Sequence, residues 1–234
     1  MPSYYKLCYN SIIRVEITQN GANMIIGVCG KIGSGKTLFA KVADIEFGAI
    51  RENFAGGLKL EVKEWLIKSD ITFEDCQLYG TQEDRMHPVV LATSDVTQEM
   101  ANHGFFRICE KHPHSLVTNC RSICQWWGTE YRRKQNEDYW VEKLLAKLDD
   151  ENNLYVIDDV RFPNEANAIK MLGGALVRIN RNNIPCGADL THLSETALDD
   201  YKHYNIIINN IDIDRDHYKR LCSYALDFIE RTVV

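Results

Sequence analysis

Eight consecutive residues, Gly30-Lys31-Ile32-Gly33-Ser34-Gly35-Lys36-Thr37, combine three glycines, two hydroxyls and two lysines in a G-x-x-x-x-G-K-T pattern. These residue types suit one task, wrapping a phosphate. A loop that closes around an anion must turn its backbone N–H groups inward, and Gly30, Gly33 and Gly35 permit that curvature. Ser34 lies inside the turn. Lys36 supplies a point charge for outer phosphates, and the Thr37 hydroxyl is a hard oxygen ligand suited to Mg2+. A helix leaving the loop adds the positive end of its dipole.

Two further groups carry charge at useful spacing. Asp158-Asp159 closes an apolar run and Arg161 follows at once. A carboxylate at a strand end can hold magnesium or a neighbouring cation, and alternation alone leaves open which of the two faces the site. Asp158 is the candidate metal ligand alongside Thr37. In Arg121-Ser122-Ile123-Cys124-Gln125-Trp126-Trp127-Gly128, a helix brings positions 121, 125 and 128 to one face. Arg121 can grip a phosphate bidentately, Gln125 can donate to and accept from a base edge, and Gly128 leaves room for close approach. A solvated helix face would show the same spacing.

The elements that must position these groups follow from hydrophobic period. Residues 24–29 are continuously apolar, which predicts a parallel strand buried on both faces. Helices are expected over 36–47, 57–68, 121–127 (with Gly128 as its C-terminal cap), 138–148, 164–171 and 214–231. Further strands are expected at 154–157, 175–179 and 205–208. Residues 69–114, punctuated by Gly80, His87-Pro88, Gly104 and His112-Pro113, predict loops and short helices. Strand–helix alternation implies an α/β fold, a parallel sheet with helices on both faces. Ligands of such sheets sit beyond the carboxyl ends of the strands, where the phosphate loop and Asp158-Asp159 both fall. Residues 181–193 form a polar stretch between two strands, with Arg178 and Arg181 at its entrance, and predict a lid.

Composition narrows the partners. The 234 residues are 45% hydrophobic and 26% charged, an ordinary globular balance, with a formal net charge of −6. An acidic chain without a basic face is not built for broad nucleic-acid binding. No apolar run approaches the ~20 residues a membrane helix needs. The eight cysteines include no C-x-x-C pair, and no secretory signal precedes them, so reduced thiols in a cytoplasm are expected. Cys109, His112, His114, Cys120 and Cys124 are metal-ligating types, but structural zinc sites usually pair their ligands more tightly. Cys120 and Cys124 are expected one helical turn apart as small core residues.

Several blocks resemble one family. Thr118-Asn119-Cys120-Arg121 through Gly128-Thr129-Glu130, then Arg132-Arg133, is similar to the T-P-R-x-L-L-Q-x-x-G-T-E-x-x-R stretch of bacteriophage deoxynucleoside monophosphate kinases. Asp159-Val160-Arg161-Phe162-Pro163-Asn164-Glu165-Ala166 resembles that family's D-V-R-F-P-N-E-A. Gly173-Gly174, Arg178 to Arg181, and His192-Leu193-Ser194-Glu195 resemble its G-G-x-x-x-R-V-x-R and H-x-S-E blocks. Phe54-Ala55-Gly56-Gly57-Leu58-Lys59 resembles an F-A-D-x-L-K start, with Gly56 replacing the aspartate. The resemblance implies a P-loop NTPase fold of the nucleoside monophosphate kinase kind, with an acceptor-binding insertion over about 50–150. It implies ATP contacts from Ser34, Lys36 and Thr37. It implies acceptor contacts from Lys59, Arg121, Gln125, Gly128, Thr129, Trp140, Asp159, Arg161 and Glu165. Trp140 lies on a helix that would bury an aromatic in any case.

The expected reaction is transfer of the γ-phosphoryl of ATP to a deoxynucleoside monophosphate, with Mg2+ as cofactor and Lys36, Arg161 and Arg181 neutralising charge. The expected partners are small nucleotides, with no nucleic acid and no membrane, and a homodimer is compatible. The expected place is the cytoplasm, that of the host if the gene is phage-borne. Two rivals share the phosphate loop. A kinase of a hydroxyl acceptor, such as dephospho-coenzyme A, would want a carboxylate base. A P-loop ATPase switch would move a macromolecular partner, which the acidic balance disfavours. Residues 1–23 match nothing in the family pattern and show a strand pattern only over 11–17. We expect the functional enzyme to begin at Met24, preceded by codons for Gly21-Ala22 that can mimic a ribosome-binding site. The alternative is an edge strand that buries Ile12, Ile13, Val15 and Ile17.

Overall fold

The apolar run at Met24 becomes the middle of a five-stranded sheet in a computed structural model that describes residues 6–7, 11–12, 24–81, 83–92, 107–109, 112–148, 153–182, 192–211 and 213–233. In chain order the elements begin with β1 (Lys6–Leu7), β2 (Ser11–Ile12), β3 (Met24–Cys29), α1 (Lys36–Phe47), β4 (Ile50–Glu52), α2 (Phe54–Lys68) and α3 (Asp75–Tyr79). Next come β5 (Pro88–Ala92), β6 (Arg107–Cys109), β7 (His112–Asn119), α4 (Cys120–Gln125), a π-helix (Trp126–Arg133) and α5 (Tyr139–Leu145). The chain closes with β8 (Leu154–Val160), α6 (Pro163–Met171), β9 (Ala175–Asn180), α7 (Leu193–Thr196), β10 (Ile206–Asn209) and α8 (Arg215–Val233). Two compact units result, one of Met1–Phe54 with Val141–Val234, the other of Ala55–Trp140.

In the first unit the strand order is β10-β9-β3-β8-β4, parallel throughout. The chain leaves β3 to form β4 on one side, and later crosses from β8 over β3 to β9 on the other. That reversal at β3 opens a crevice at the carboxyl end of the strands. One sheet face is covered by α1, through Phe39, Ala40, Val42 and Ala43, and by α8, through Tyr218, Cys222, Ala225, Leu226 and Ile229. These side chains pack on Ile26, Val28, Val177, Ile179, Ile206 and Ile208. Each fully buried aliphatic or aromatic contributes roughly 1.5–3 kcal/mol. The other face receives α6: a Cβ on Gly27 would stand 2.6 Å from Ile169 Cδ1, so glycine lets the helix lie close.

The expected α/β architecture is thus present, and α1 spans the predicted residues. Strand β8 continues past its predicted end, so Asp158 and Asp159 stand within the strand rather than after it. Parallel pairing of Val160 with Cys29 carries the ladder through the acidic pair. The short strand β4, Ile50–Glu52, was not anticipated; three residues show too little period to read. Of the strand expected over 11–17, only Ser11–Ile12 is described, paired antiparallel with Lys6–Leu7.

The second unit overturns one expectation outright. Residues 69–114 do not form only loops and short helices: β5, β7 and β6 make a three-stranded antiparallel sheet. Val89 and Leu91 are buried while Pro88, Val90 and Ala92 face out, a period of two. Pro88 was read as a breaker, yet it opens an edge strand, where a missing N–H is tolerated. The fold also corrects the predicted stop at Gly128. The helix does not end there but widens into the π-helix, with Gly128 buried inside it.

Candidate active site

The phosphate loop turns between β3 and α1 as its composition demands. Gly35 has φ +113°, and a Cβ there would meet the Tyr218 hydroxyl at 2.8 Å and its ring at 2.9 Å. Tyr218 Oη donates to the Gly35 carbonyl at 3.1 Å, and Asn210 Nδ2 donates to the Ser34 carbonyl at 2.8 Å. With outward carbonyls held this way, the loop keeps its curvature. Ser34 is 1% exposed, and its Oγ has no hydrogen-bond partner among the described residues. Lys36 Nζ folds back over the loop, donating to Gly30 O at 2.7 Å and Lys31 O at 2.9 Å. Burial pulls its pKa down to about 8, aided by the Arg161 guanidinium and opposed by Glu195 and Asp159. Thr37, in the first turn of α1, is exposed.

Three predicted cationic groups gather at this loop. Arg181 Nη1 donates to the Gly33 carbonyl at 3.0 Å. Arg161 lies within electrostatic reach of Lys36. Its guanidinium pairs with the Glu195 carboxylate and donates to Ser194 O at 3.2 Å. Of the lid expected over 181–193, residues 183–191 lie outside the described residues.

The two aspartates divide their roles. Asp158 pairs with Arg51 at 3.1 Å. Asp159 accepts from the Phe54 N–H at 2.8 Å and is the one of the two felt by Lys36. Glu165 is 2% exposed, and its Oε2 accepts from the backbone N–H groups of Arg161 at 2.7 Å and Phe162 at 3.0 Å. It therefore closes the first turn of α6 and fixes the backbone of Arg161.

The remaining expected acceptor residues belong to the second unit. Asn119, which stands where the family pattern has proline, caps α4 by accepting from the Ser122 N–H at 2.9 Å. Arg121 and Gln125 are half-buried on that helix, and Thr129 is half-buried in the π-helix. Gly128 does not leave open space: a Cβ there would meet Leu58 Cδ2 at 3.2 Å. Trp140 is 3% exposed, and its Nε1 donates to the Gly128 carbonyl at 3.1 Å. Lys59 lies over the Tyr79 ring at 5.6 Å. Cys120 and Cys124 stand one turn apart as expected, but only Cys120 is a core residue and Cys124 is half-buried; desolvation pushes their thiols up to about 12 and about 11.

Sequence reasoning missed several organising residues. Glu61 accepts from Trp127 Nε1 at 3.0 Å, from Arg132 Nε at 2.8 Å and from the Tyr139 hydroxyl. The Arg132 guanidinium lies over Tyr139 at 4.9 Å and Tyr131 at 5.1 Å. This network pins the π-helix, a wide turn that recurs at functional sites. A glutamate on an amphipathic helix gave no warning of it. Lys31 likewise donates to Glu195 O at 2.7 Å and to Asp199 at 2.6 Å.

A parallel sheet in this order, with a G-x-x-x-x-G-K-T loop leaving its middle strand, is a P-loop nucleotide-kinase fold. The chain is 31% identical over 200 residues to a protein of Acanthamoeba polyphaga mimivirus named "Putative deoxynucleotide monophosphate kinase", covering 86% of this chain and 95% of that one. It belongs to that viral deoxynucleotide monophosphate kinase-like family and is a phosphotransferase. It is also 36% identical over 86 residues to the uncharacterized protein ORF77 of Ictalurid herpesvirus 1, covering 35% of this chain and 38% of that one. A solved dephospho-CoA kinase from Campylobacter jejuni is similar at a TM-score of 0.46 and 16% identity, covering 89% of this chain and 98% of that one. No protein-family model matches. No helix among the described residues is long and apolar enough to cross a membrane.

Proposed function

We propose that the protein transfers the γ-phosphoryl group of ATP to a deoxynucleoside monophosphate, giving ADP and the diphosphate. The observation that carries this is 31% identity, over an alignment covering 95% of its length, to a relative named "Putative deoxynucleotide monophosphate kinase". The phosphate loop with its converging cations supports the same reading. The second ionisation of a phosphate monoester has pKa near ~6, so the acceptor is mostly an oxyanion at neutral pH. No general base is then required, and catalysis consists of alignment and charge neutralisation.

In this reading the amides from Gly33 to Thr37 and the Lys36 ammonium hold the ATP phosphates. Arg161 and Arg181 neutralise charge on the group in transfer. Arg121, Gln125 and Thr129 recognise the acceptor, whose phosphate Arg161 also contacts. A hydroxyl and carboxylates are hard oxygen donors that fit Mg2+. Thr37 and one of the Asp158–Asp159 pair would hold it, and the bound ion would screen the phosphate oxygens. Asp159 lies within electrostatic reach of Lys36, and Asp158 is paired with Arg51.

The test is ADP release from ATP with each of the four deoxynucleoside monophosphates, with dephospho-coenzyme A, and with no acceptor. Release that depends on one or more of the monophosphates supports the proposal. Release with dephospho-coenzyme A alone, or without any acceptor, overturns it.

A further inference from the structure

The chemistry above uses Arg161 but not the carboxylate that grips it. Glu195 lies on α7, and its side chain is 2% exposed. Both carboxylate oxygens are engaged. Oε1 pairs with the Arg161 guanidinium, and Oε2 accepts from the N–H of Ile32, in the phosphate loop, at 3.1 Å. The main chain repeats the pattern. Ser194 O accepts from Arg161 at 3.2 Å, and Glu195 O accepts from Lys31 Nζ at 2.7 Å. The helix start is fixed too, because His192 Nδ1 accepts from the Ser194 N–H at 3.2 Å.

We propose that Glu195 is a positioning residue that couples the phosphate loop to Arg161, setting the guanidinium at a fixed place relative to the loop. A carboxylate this buried persists only when its oxygens are satisfied, and a satisfied buried network is rigid. Pairs of this kind are often no more stabilising than apolar residues of equal volume, so stability alone does not account for the arrangement. Orientation does. Arg161 is clamped at both ends, its backbone N–H by Glu165 at 2.7 Å and its guanidinium by Glu195. One carboxylate thereby carries the position of a loop amide to a cation on a different element. Lys31 and Arg178 reinforce the contact through Asp199, at 2.6 Å and 3.5 Å.

The inference rests on the proposed role of Arg161 in phosphoryl transfer. Its test is a cycle in the full chain with Glu195→Gln, Arg161→Ala and the double variant. Glutamine keeps an oxygen for the Ile32 N–H but removes the charge that holds Arg161. Glu195→Gln should lower kcat by roughly tenfold or more while KM for ATP stays within about threefold. In the Arg161→Ala background the same change should alter kcat by less than about twofold, because its target is gone. Phenylglyoxal labelling of Arg161, followed by peptide mass mapping, should be at least about threefold faster in Glu195→Gln, since a freed guanidinium loses its ion pair. Equal kcat losses in both backgrounds, or unchanged labelling, would overturn the proposal. If Glu195→Gln does not fold, the double variant, which lacks both charges, is compared with Arg161→Ala, and a kcat difference above about twofold overturns it. If the unaltered protein shows no acceptor-dependent transfer, the proposed function falls, and the labelling result alone decides the positioning role.

Discussion

Trp140 donates its indole N–H to the carbonyl of Gly128, 3.1 Å away, and so ties α5 to the π-helix. Both residues are implied acceptor contacts by family resemblance, yet they meet each other in the interior of their unit. Trp140→Ala should therefore cost about 3–5 kcal/mol by leaving a cavity. Trp140→Phe should cost about 1–2 kcal/mol through the lost hydrogen bond. Urea titration measures both. A loss for Trp140→Ala below about 1 kcal/mol would show that the indole is not a packing anchor.

Lys36→Ala removes the ammonium that lies over the phosphate loop. The transfer rate should fall by more than roughly tenfold, as it does when a preorganised charge is deleted. Coupled ADP release checks this, and a rate within tenfold of the parent chain contradicts the assignment.

Arg121→Ala and Arg161→Ala should weaken the monophosphate more than ATP, by about tenfold or more, since each is assigned to the acceptor phosphate. Separate calorimetric titrations of the two nucleotides decide it. Equal losses for both ligands would refute the division of roles.

Three buried thiols and one half-buried thiol, Cys124, carry a pH signature. Burial raises Cys120 and Cys222 to about 12, and Cys29 and Cys124 to about 11, from an ordinary value of 9.0. Each is neutral in the folded chain over a range where the unfolded chain has already lost its proton. Their contribution to stability is therefore complete below about pH 9 and is lost as pH rises toward 11–12. Thermal melts from pH 8 to 11 should show Tm falling above pH 9, and a flat profile would contradict the burial. In the folded protein iodoacetamide at pH 8 should modify the exposed Cys76 well before these four.

A chain that begins at Met24 should fold and retain transfer activity within about threefold, since the P-loop strand opens at that residue. Measuring solubility and ADP release on the shortened chain tests this. Inactivity of the shortened chain beside an active full chain would place residues 1–23 within the enzyme.

Local chemistry made much of the first unit readable in advance. A continuous apolar run, a glycine loop and a helical period over 36–47 are short-range patterns, and they led directly to β3, the phosphate loop and α1. The same holds for β9, an apolar run interrupted by Arg178, and for α8, whose buried face recurs at helical intervals. The antiparallel sheet of the second unit was not readable. Strands β5 and β6 are short, Pro88 and the His112-Pro113 pair look like breakers, and pairing of Val89 with Thr118 joins distant residues. Nor could spacing tell that Asp158 meets Arg51, that Glu165 closes a turn, or that Glu195 reaches both Arg161 and the Ile32 amide. Those partners lie far apart along the chain or face away from the period that was read. A residue's type limits what it can bond, but only the folded backbone decides which complementary group arrives within 3 Å of it.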